Sequence, residues 1–312
     1  MSRKRHPIAA RPSGAALIMA LLVVALVTSL ASTLIWRQDL WLRQVETHRD
    51  IAQTRVLVTA GIEWARAVLA EDARTSTTDH LGEPWATKVP AMPAEHGEIS
   101  GELLDEQSKW NLNNLSRAGR ISAADAAIFR RLLELLQLPQ GLSSTLSDWL
   151  DADSDADPEG AEDAYYLGLK PAYRSANREL SNLDSLLRVR GFNRDVIERL
   201  RPYVTVLPGY NPVNVNTTNA IVLSAVFPAL PAAEVQQLIT ERDRIPIRDS
   251  ADFIARLPRP ELATMPGIKE IDKRSLFFSV VIHARYGNAE ISSTALLDRH
   301  TIWPTLVWQN FE

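Results

Sequence analysis

The chain contains no cysteine. Disulfides, thiolate metal sites and a cysteine nucleophile are thereby excluded, and the redox compartment cannot be read. Nucleophile-elbow, phosphate-loop and zinc-protease patterns are also missing, and the six histidines are scattered without ligand spacing. No catalytic constellation emerges, so an enzyme is not expected. Acidic residues are absent from the first fourteen positions, where Arg3, Lys4, Arg5 and Arg11 stand alone. All 38 Asp and Glu therefore fall downstream, against 30 Lys and Arg, a balance that argues against nucleic acid as a partner.

Charge of either sign is absent from Ala15 to Ile35. At ~1.5 Å per residue, this run of 21 residues is enough to cross a hydrocarbon core of roughly 30 Å. The positive leader places the N-terminus in the cytoplasm and the bulk of the chain outside. A secretory signal cut after Ser29-Leu30-Ala31 is the alternative, although the run exceeds the usual h-region of about 7–15 residues. Beyond Ile35, apolar residues recur at Leu40, Leu42, Val45, Ile51, Val56, Leu57, Ile62, Trp64 and Val68 with charges between them. One helix from Ala15 to about Ala70, roughly 80 Å long, is predicted.

Beyond this helix the chain reads as strands around a helical block. The segment from Glu98 to Leu115 reads as a strand, a turn at Asp105 and Ser108, and a second short strand. Ser122-Ala123-Ala124-Asp125 opens a helix that Pro139 and Gly141 stop. Around residue 210 the layout partly recurs: Asn214-Val215-Asn216 echoes Asn111-Leu112-Asn113, Pro231 to Glu234 echoes Ser122 to Asp125, and Asp252-Phe253-Ile254 echoes Asp148-Trp149-Leu150. A diverged internal duplication is expected. Strands return at Leu276–Tyr286, Ala289–Leu297 and Thr305–Trp308, the first two joined at Gly287-Asn288.

The most chemical stretch is acidic. Asp151, Asp153, Asp155, Asp157 and, eleven residues after the first, Glu162 reproduce the ligand spacing of a calcium loop, with Asp163 adjoining. Dense carboxylates without His or Cys favour calcium over a transition metal. Ala156 stands where the turn wants glycine, and Pro158 breaks the exit pattern. A structural calcium loop outside an EF-hand fold is expected, holding one or two ions; a solvated acidic loop is the plain alternative.

A basic leader ending in Gly14, then Ala15-Ala16-Leu17-Ile18-Met19 and an apolar helix, resembles the processing site of type IV prepilins. The resemblance implies cleavage between Gly14 and Ala15 by prepilin peptidase. Most of that superfamily has glutamate at the fifth mature position, here Met19. Its absence resembles the K-type minor pseudopilins of the type II secretion system. Asp105-Glu106-Gln107 with Trp110-Asn111-Leu112-Asn113, and Asp148-Trp149 with Gly160-Ala161-Glu162-Asp163 and Tyr165-Tyr166, are similar to motifs of that family, the second being its calcium segment. The fold implied is α+β: a pilin-like long helix on a small antiparallel sheet, with a large, duplicated helix-hairpin-helix insertion. Its expected parts are the leader 1–14, membrane helix 15–35, periplasmic helix 36–70, sheet domain 71–115 and 266–312, and insertion 116–265. The implied role is to start pseudopilus assembly at the tip for export of folded proteins, with I-type and J-type minor pseudopilins and the major pseudopilin as partners, from the inner membrane with a periplasmic head.

One competing reading stays open. Asn182 to Phe192, with Val189-Arg190-Gly191, and Met265-Pro266-Gly267-Ile268 resemble helix-hairpin-helix turns that grip DNA phosphates, which implies a membrane-anchored protein of DNA uptake. Glu261 and Glu270 flank the second turn and oppose it.

Overall fold

The computed structural model describes residues 14–94, 97–259, 262 and 264–311. The leader through Ser13 and the flanking Glu261 lie outside the described residues. The chain begins with α1 (Gly14–Thr75), then β1 (Val89–Ala94) and β2 (Gly97–Asp105). A first group of short elements comes next: β3 (Trp110–Asn111), β4 (Ser116–Arg117), β5 (Arg120–Ile121), α2 (Ala123–Leu135), α3 (Gly141–Leu150), α4 (Asp163–Tyr166), α5 (Arg194–Leu200) and β6 (Val204–Thr205). A second group holds β7 (Val213–Asn214), α6 (Ala220–Val226), α7 (Ala232–Arg244), α8 (Ser250–Ala255) and β8 (Ile271–Asp272). The chain closes with β9 (Phe277–Tyr286), β10 (Ala289–Asp298) and β11 (Thr305–Phe311).

α1 runs 62 residues without a break, one turn beyond the expected end at Ala70. Every residue from Ala15 to Arg49 is exposed, which suits a segment meant for lipid and for other helices. From Thr54 the helix docks on protein, burying Thr54, Val58, Ile62, Ala65 and Leu69 at spacings of three and four. Gly61 makes the docking close: a Cβ there would stand 2.9 Å from Ile282 Cδ1 and 3.1 Å from Ile99 Cδ1.

The surface under the helix is a five-stranded antiparallel sheet in the order β1-β2-β9-β10-β11. Alternation along β9 sends Phe278, Val280, Ile282 and Ala284 toward α1, where Trp85 meets Phe278 edge-on with ring centroids 5.1 Å apart. β9 and β10 form the expected hairpin, with Tyr286 opposite Ala289 and Gly287 at a positive φ of 56°. Asp50 of α1 accepts the Asn288 amide at 3.1 Å, in the space that a side chain at position 287 would need.

The helical unit leaves the sheet after Asp105 and returns at Phe277, where β2 and β9 are neighbours, so both crossings lie at one neck. Its boundaries differ from the expected 116–265. Trp110, Leu112, Leu115 and Ile271 belong to the core of the helical unit, because their apolar side chains pack with α2, α3 and α6 rather than on the sheet. The strand expected after Asp105 also pairs differently. Trp110-Asn111 does not fold back on β2; it lies parallel to Val204-Thr205, since a short 3₁₀ turn at Glu106–Ser108 redirects the chain.

The duplication is present in the geometry. β3 pairs with β6, and β7 with β8, each as a two-residue parallel bridge closing one copy. Asn113 grips the backbone of Leu180, donating to its carbonyl at 3.1 Å and accepting its amide at 2.8 Å. Asn216 grips Ile247 in the same manner, at 2.9 and 2.8 Å. Asn182 then caps the turn Leu183–Arg188 by accepting from Ser185, as Asp249 caps α8 by accepting from Asp252. Asp252-Phe253-Ile254 therefore corresponds to Ser185-Leu186-Leu187, not to Asp148-Trp149-Leu150. By order along the chain α6 and α7 match α2 and α3, so the echo at Pro231 is also shifted by one helix. Both false echoes are helix-boundary signatures, which recur at every helix and do not fix a register. Asn111 lies 93 residues before Val204 but Asn214 only 57 before Ile271, so the first copy is 36 residues longer, and the extra length carries the acidic stretch.

Candidate functional site

The acidic loop starts where α3 ends and returns as α4, a single turn capped by Glu162. α3 is apolar on its inner side, with Leu142, Leu146, Trp149 and Leu150 buried, and this packing carries Asp148 and Asp151 inward at its end. Asp148 is fully buried and accepts the Asp157 amide at 3.2 Å on both carboxylate oxygens. Gly160 leaves the room for it, because a Cβ at that position would overlap the Asp148 carboxylate. Asp151 is 8% and Glu162 4% exposed.

Among the described residues, two oxygens in this cluster have no partner. Asp151 Oδ1 and Glu162 Oε1 are buried and accept no hydrogen bond, while Glu162 Oε2 accepts the Ser175 hydroxyl at 2.9 Å. A buried carboxylate oxygen without a donor is costly and is rare in folded proteins. The electrostatics agree. Burial, then the charges of Asp153, Asp148, Glu162 and Asp157, pushes the Asp151 carboxyl up to about 7. Burial is also the first cause of the upward shifts of Asp148 and Glu162.

The six residues expected as ligands are not all placed alike. Asp151 and Glu162 come together with a free oxygen each, and Asp153 and Asp157 face Asp151 closely enough to repel it. Asp155 is exposed, and its amide donates to Asp153 Oδ1 at 3.0 Å. Asp163 is engaged elsewhere: its Oδ1 accepts the Ser175 amide at 3.0 Å and its Oδ2 pairs with Arg174 at 3.3 Å. Three contributors fall outside that set. Asp148 supplies buried charge, Ser175 orients Glu162, and Asn177 donates to the Asp153 carbonyl at 2.7 Å. Asp148 was visible as part of the acidic run; Ser175 and Asn177 carry no local signal, since they reach the site through the fold. The donor set, all oxygen and strongly anionic, can hold a hard divalent cation.

A second acidic cluster joins Asp72, Asp79 and Glu83, whose ligand atoms lie within 4.8 Å of one another. Here a cation is built in. Arg299 donates to Asp72 at 2.7 Å and to both oxygens of Asp79 at 2.6 and 2.5 Å, while Glu83 accepts the His80 amide and the Trp85 indole. The cluster ties the end of α1 to the segment before β11 and is structural.

At both hairpin turns, amides that a phosphate would need are already engaged. Gly267 is buried against Phe227, and the amides of Ile268 and Glu270 are spent on Met265 and Gly267 carbonyls. At the first turn the amides of Arg190 and Phe192 go to Tyr166 and Val189. The DNA-uptake reading is not supported.

A single long N-terminal helix, exposed through Arg49 with an apolar run to Ile35 and then docked on a small antiparallel sheet, defines a pilin-like subunit, and this one carries a duplicated helical unit between β2 and β9. Two family models, each described as type II secretion system (T2SS), protein K, match residues 108–209 and residues 213–272, the segments of the first and second copy. Type II secretion system protein K of Pseudomonas aeruginosa is 34% identical over 299 residues, covering 92% of this chain and 89% of that protein. The Klebsiella pneumoniae protein of the same name is 31% identical over 303 residues, covering 93% of each chain. The structure of the GspK-GspI-GspJ complex from enterotoxigenic Escherichia coli contains a chain with the same fold, at a TM-score of 0.74 and 22% identity, covering 86% of this chain and 99% of that one. The chain belongs to the type II secretion system protein K family, the K-type minor pseudopilins.

Proposed function

We propose that the chain caps the pseudopilus and starts its assembly, joining I-type and J-type minor pseudopilins and then the major pseudopilin, and that it acts by assembly rather than catalysis. The observation that carries this reading is the neck. The chain leaves the sheet after Asp105 and re-enters it at Phe277, both at one end between β2 and β9, and the described residues between them form a bulk that a fibre shaft would have to displace and a fibre end would not. The related E. coli protein occurs in a complex with GspI and GspJ, which favours the same partners here. Met19 agrees: an acid in the bilayer is costly unless another subunit satisfies it, and a cap has no subunit above.

In this reading prepilin peptidase cuts between Gly14 and Ala15, and the chain sits once across the inner membrane with its head in the periplasm. Calcium is held by Asp151 and Glu162 with help from Asp153, Asp155 and Asp157, and supplies the positive charge that the cluster lacks. The protein's own part is to bury Asp148 and Asp151 at the end of α3 and to orient Glu162 through Ser175. The test is deletion of the gene. Folded exoproteins should remain in the periplasm; intact secretion with loss of DNA uptake would instead revive the hairpin reading.

A further inference from the structure

The sheet has two free edges, and they are built differently. β1 carries Pro90 and Pro93 and a register shift between Val89 and Met92, so it lacks two amides and cannot extend a ladder. β11, Thr305–Phe311, contains neither proline nor a charged residue, although its pairing with β10 also shifts register, between Leu296 and Leu297, and leaves Val307 as the extra residue. Along it and the turn before it, Ile302, Trp303, Leu306, Val307 and Phe311 are 42–57% exposed. Single exposed apolar residues are ordinary, but an edge strand that has neither proline nor charge and carries several exposed apolar side chains invites pairing, and folded proteins normally block it with lysine or proline.

Two cations border the strip. Arg66 lies over Trp303 at 5.2 Å and is paired with Glu63 at 2.6 Å. Arg55 lies over Phe311 at 6.0 Å and, among the described residues, has no carboxylate partner. Below Arg55 the same side of α1 presents Ala52, His48, Val45 and Trp41, three or four residues apart and all exposed. This stripe leads without interruption from the apolar helix to the β11 edge.

We propose that β11, with this stripe, is the contact surface for a second pilin-like subunit of different sequence. Its long helix lies along Trp41, Val45 and Ala52, its head adds an extended segment to β11, and it sets a carboxylate against Arg55. The continuity of stripe and edge selects a partner with the same two-part build, and the Arg55 guanidinium, which has no carboxylate partner among the described residues, selects its charge. The proposal rests on the reading of the chain as an assembly subunit.

The cysteine-free chain makes the test clean. Full-length protein with Val307→Cys, or Met92→Cys on the opposite edge, is labelled with a thiol-directed photo-crosslinker in membranes containing tagged I-type and J-type pseudopilins. An adduct with one of them from position 307 and not from 92 is expected. Leu306→Lys or Arg55→Glu, both at exposed positions, should lower its yield roughly tenfold, whereas Leu306→Val should not. An adduct with a second copy of the chain, an adduct from position 92 alone, or none from 307 overturns the proposal. If gene deletion still abolishes secretion in that case, only this surface falls and the assembly reading stands.

Discussion

Asn214 donates its side-chain amide to the carboxylate of Asp105 at 3.1 Å, although 109 residues separate them. The same amide donates to the Asp79 carbonyl at 3.1 Å and to the Ser275 hydroxyl at 2.8 Å. Asp105 is the last residue of the strand entering the neck, and Ser275 precedes the strand leaving it. Asn214 therefore fastens the second helical copy to the sheet domain at the one place where the chain passes between them.

Asn214→Ala removes these donors and leaves a buried carboxylate underserved. A loss of about 2–4 kcal/mol is expected, seen as a fall of roughly 5–15 °C in the melting temperature of the detergent-solubilised chain. Asn111→Ala, in the equivalent place of the first copy, should cost a similar amount, because its amide serves the Leu207 and Gly209 carbonyls. An unchanged melting temperature for Asn214→Ala would show that the neck is held by apolar packing alone.

The neck also gives stability a pH dependence. Burial pushes the Asp105 carboxyl up to about 6, against the hydrogen bonds from Thr217 and Ser275, and the Asp79 charge adds to the rise. From about pH 4 to 6 the folded chain keeps a proton that the unfolded chain releases. This group's contribution is thus full below about pH 4 and lost as pH rises through about 6. Asp72, pushed up to about 7 by burial and the charges of Glu83 and Asp79, acts in the same direction. In EDTA, melting temperature should fall from about pH 5 to 7.5, and Asp105→Asn should shrink that fall; an identical slope in the variant would show that Asp105 does not set it.

Calcium should reverse the balance at the acidic loop. At a hundredfold excess over its Kd a single ion adds about 2.7 kcal/mol, so saturating calcium should raise the melting temperature and EDTA should lower it. Asp151→Asn is expected to abolish the calcium shift, yet to be more stable than the unsubstituted chain in EDTA, because it removes one uncompensated charge. A calcium response that survives both Asp151→Asn and Glu162→Gln would place the ion elsewhere.

Gly160→Ala tests the loop's geometry without touching a carboxylate. The added Cβ would overlap the Asp148 side chain, so the loop must shift and the calcium response should weaken or vanish. Titration followed by melting temperature reads it directly, and a full response would mean that Asp148 is not positioned by the close approach of this turn.

Much of this architecture was legible in local pattern. The long helix expected from Ala15, the β9–β10 hairpin at Gly287-Asn288 and the cap at Ser122 follow from uncharged length, turn chemistry and capping, all of which act within a few residues. The duplication was legible only in its asparagines, because Asn111, Asn113, Asn214 and Asn216 use their amides to hold distant backbone, whereas the helix-start signals misled. The parallel bridge from Trp110-Asn111 to Val204-Thr205 was not legible, since two residues carry no strand pattern. At the acidic loop, spacing identified the carboxylates, but their unequal fates depend on Ser175 and Arg174, which a tertiary turn returns to Glu162 and Asp163.

Whether the chain is a processed pseudopilin or a plain anchored or secreted protein is decided by the N-terminal residue of the mature chain. Mass spectrometry of protein purified from cells with an active type II system reads it. Ala15 is expected at the new N-terminus. Ser32 would mean ordinary secretion and an intact leader a simple anchor, and neither is compatible with a pseudopilin.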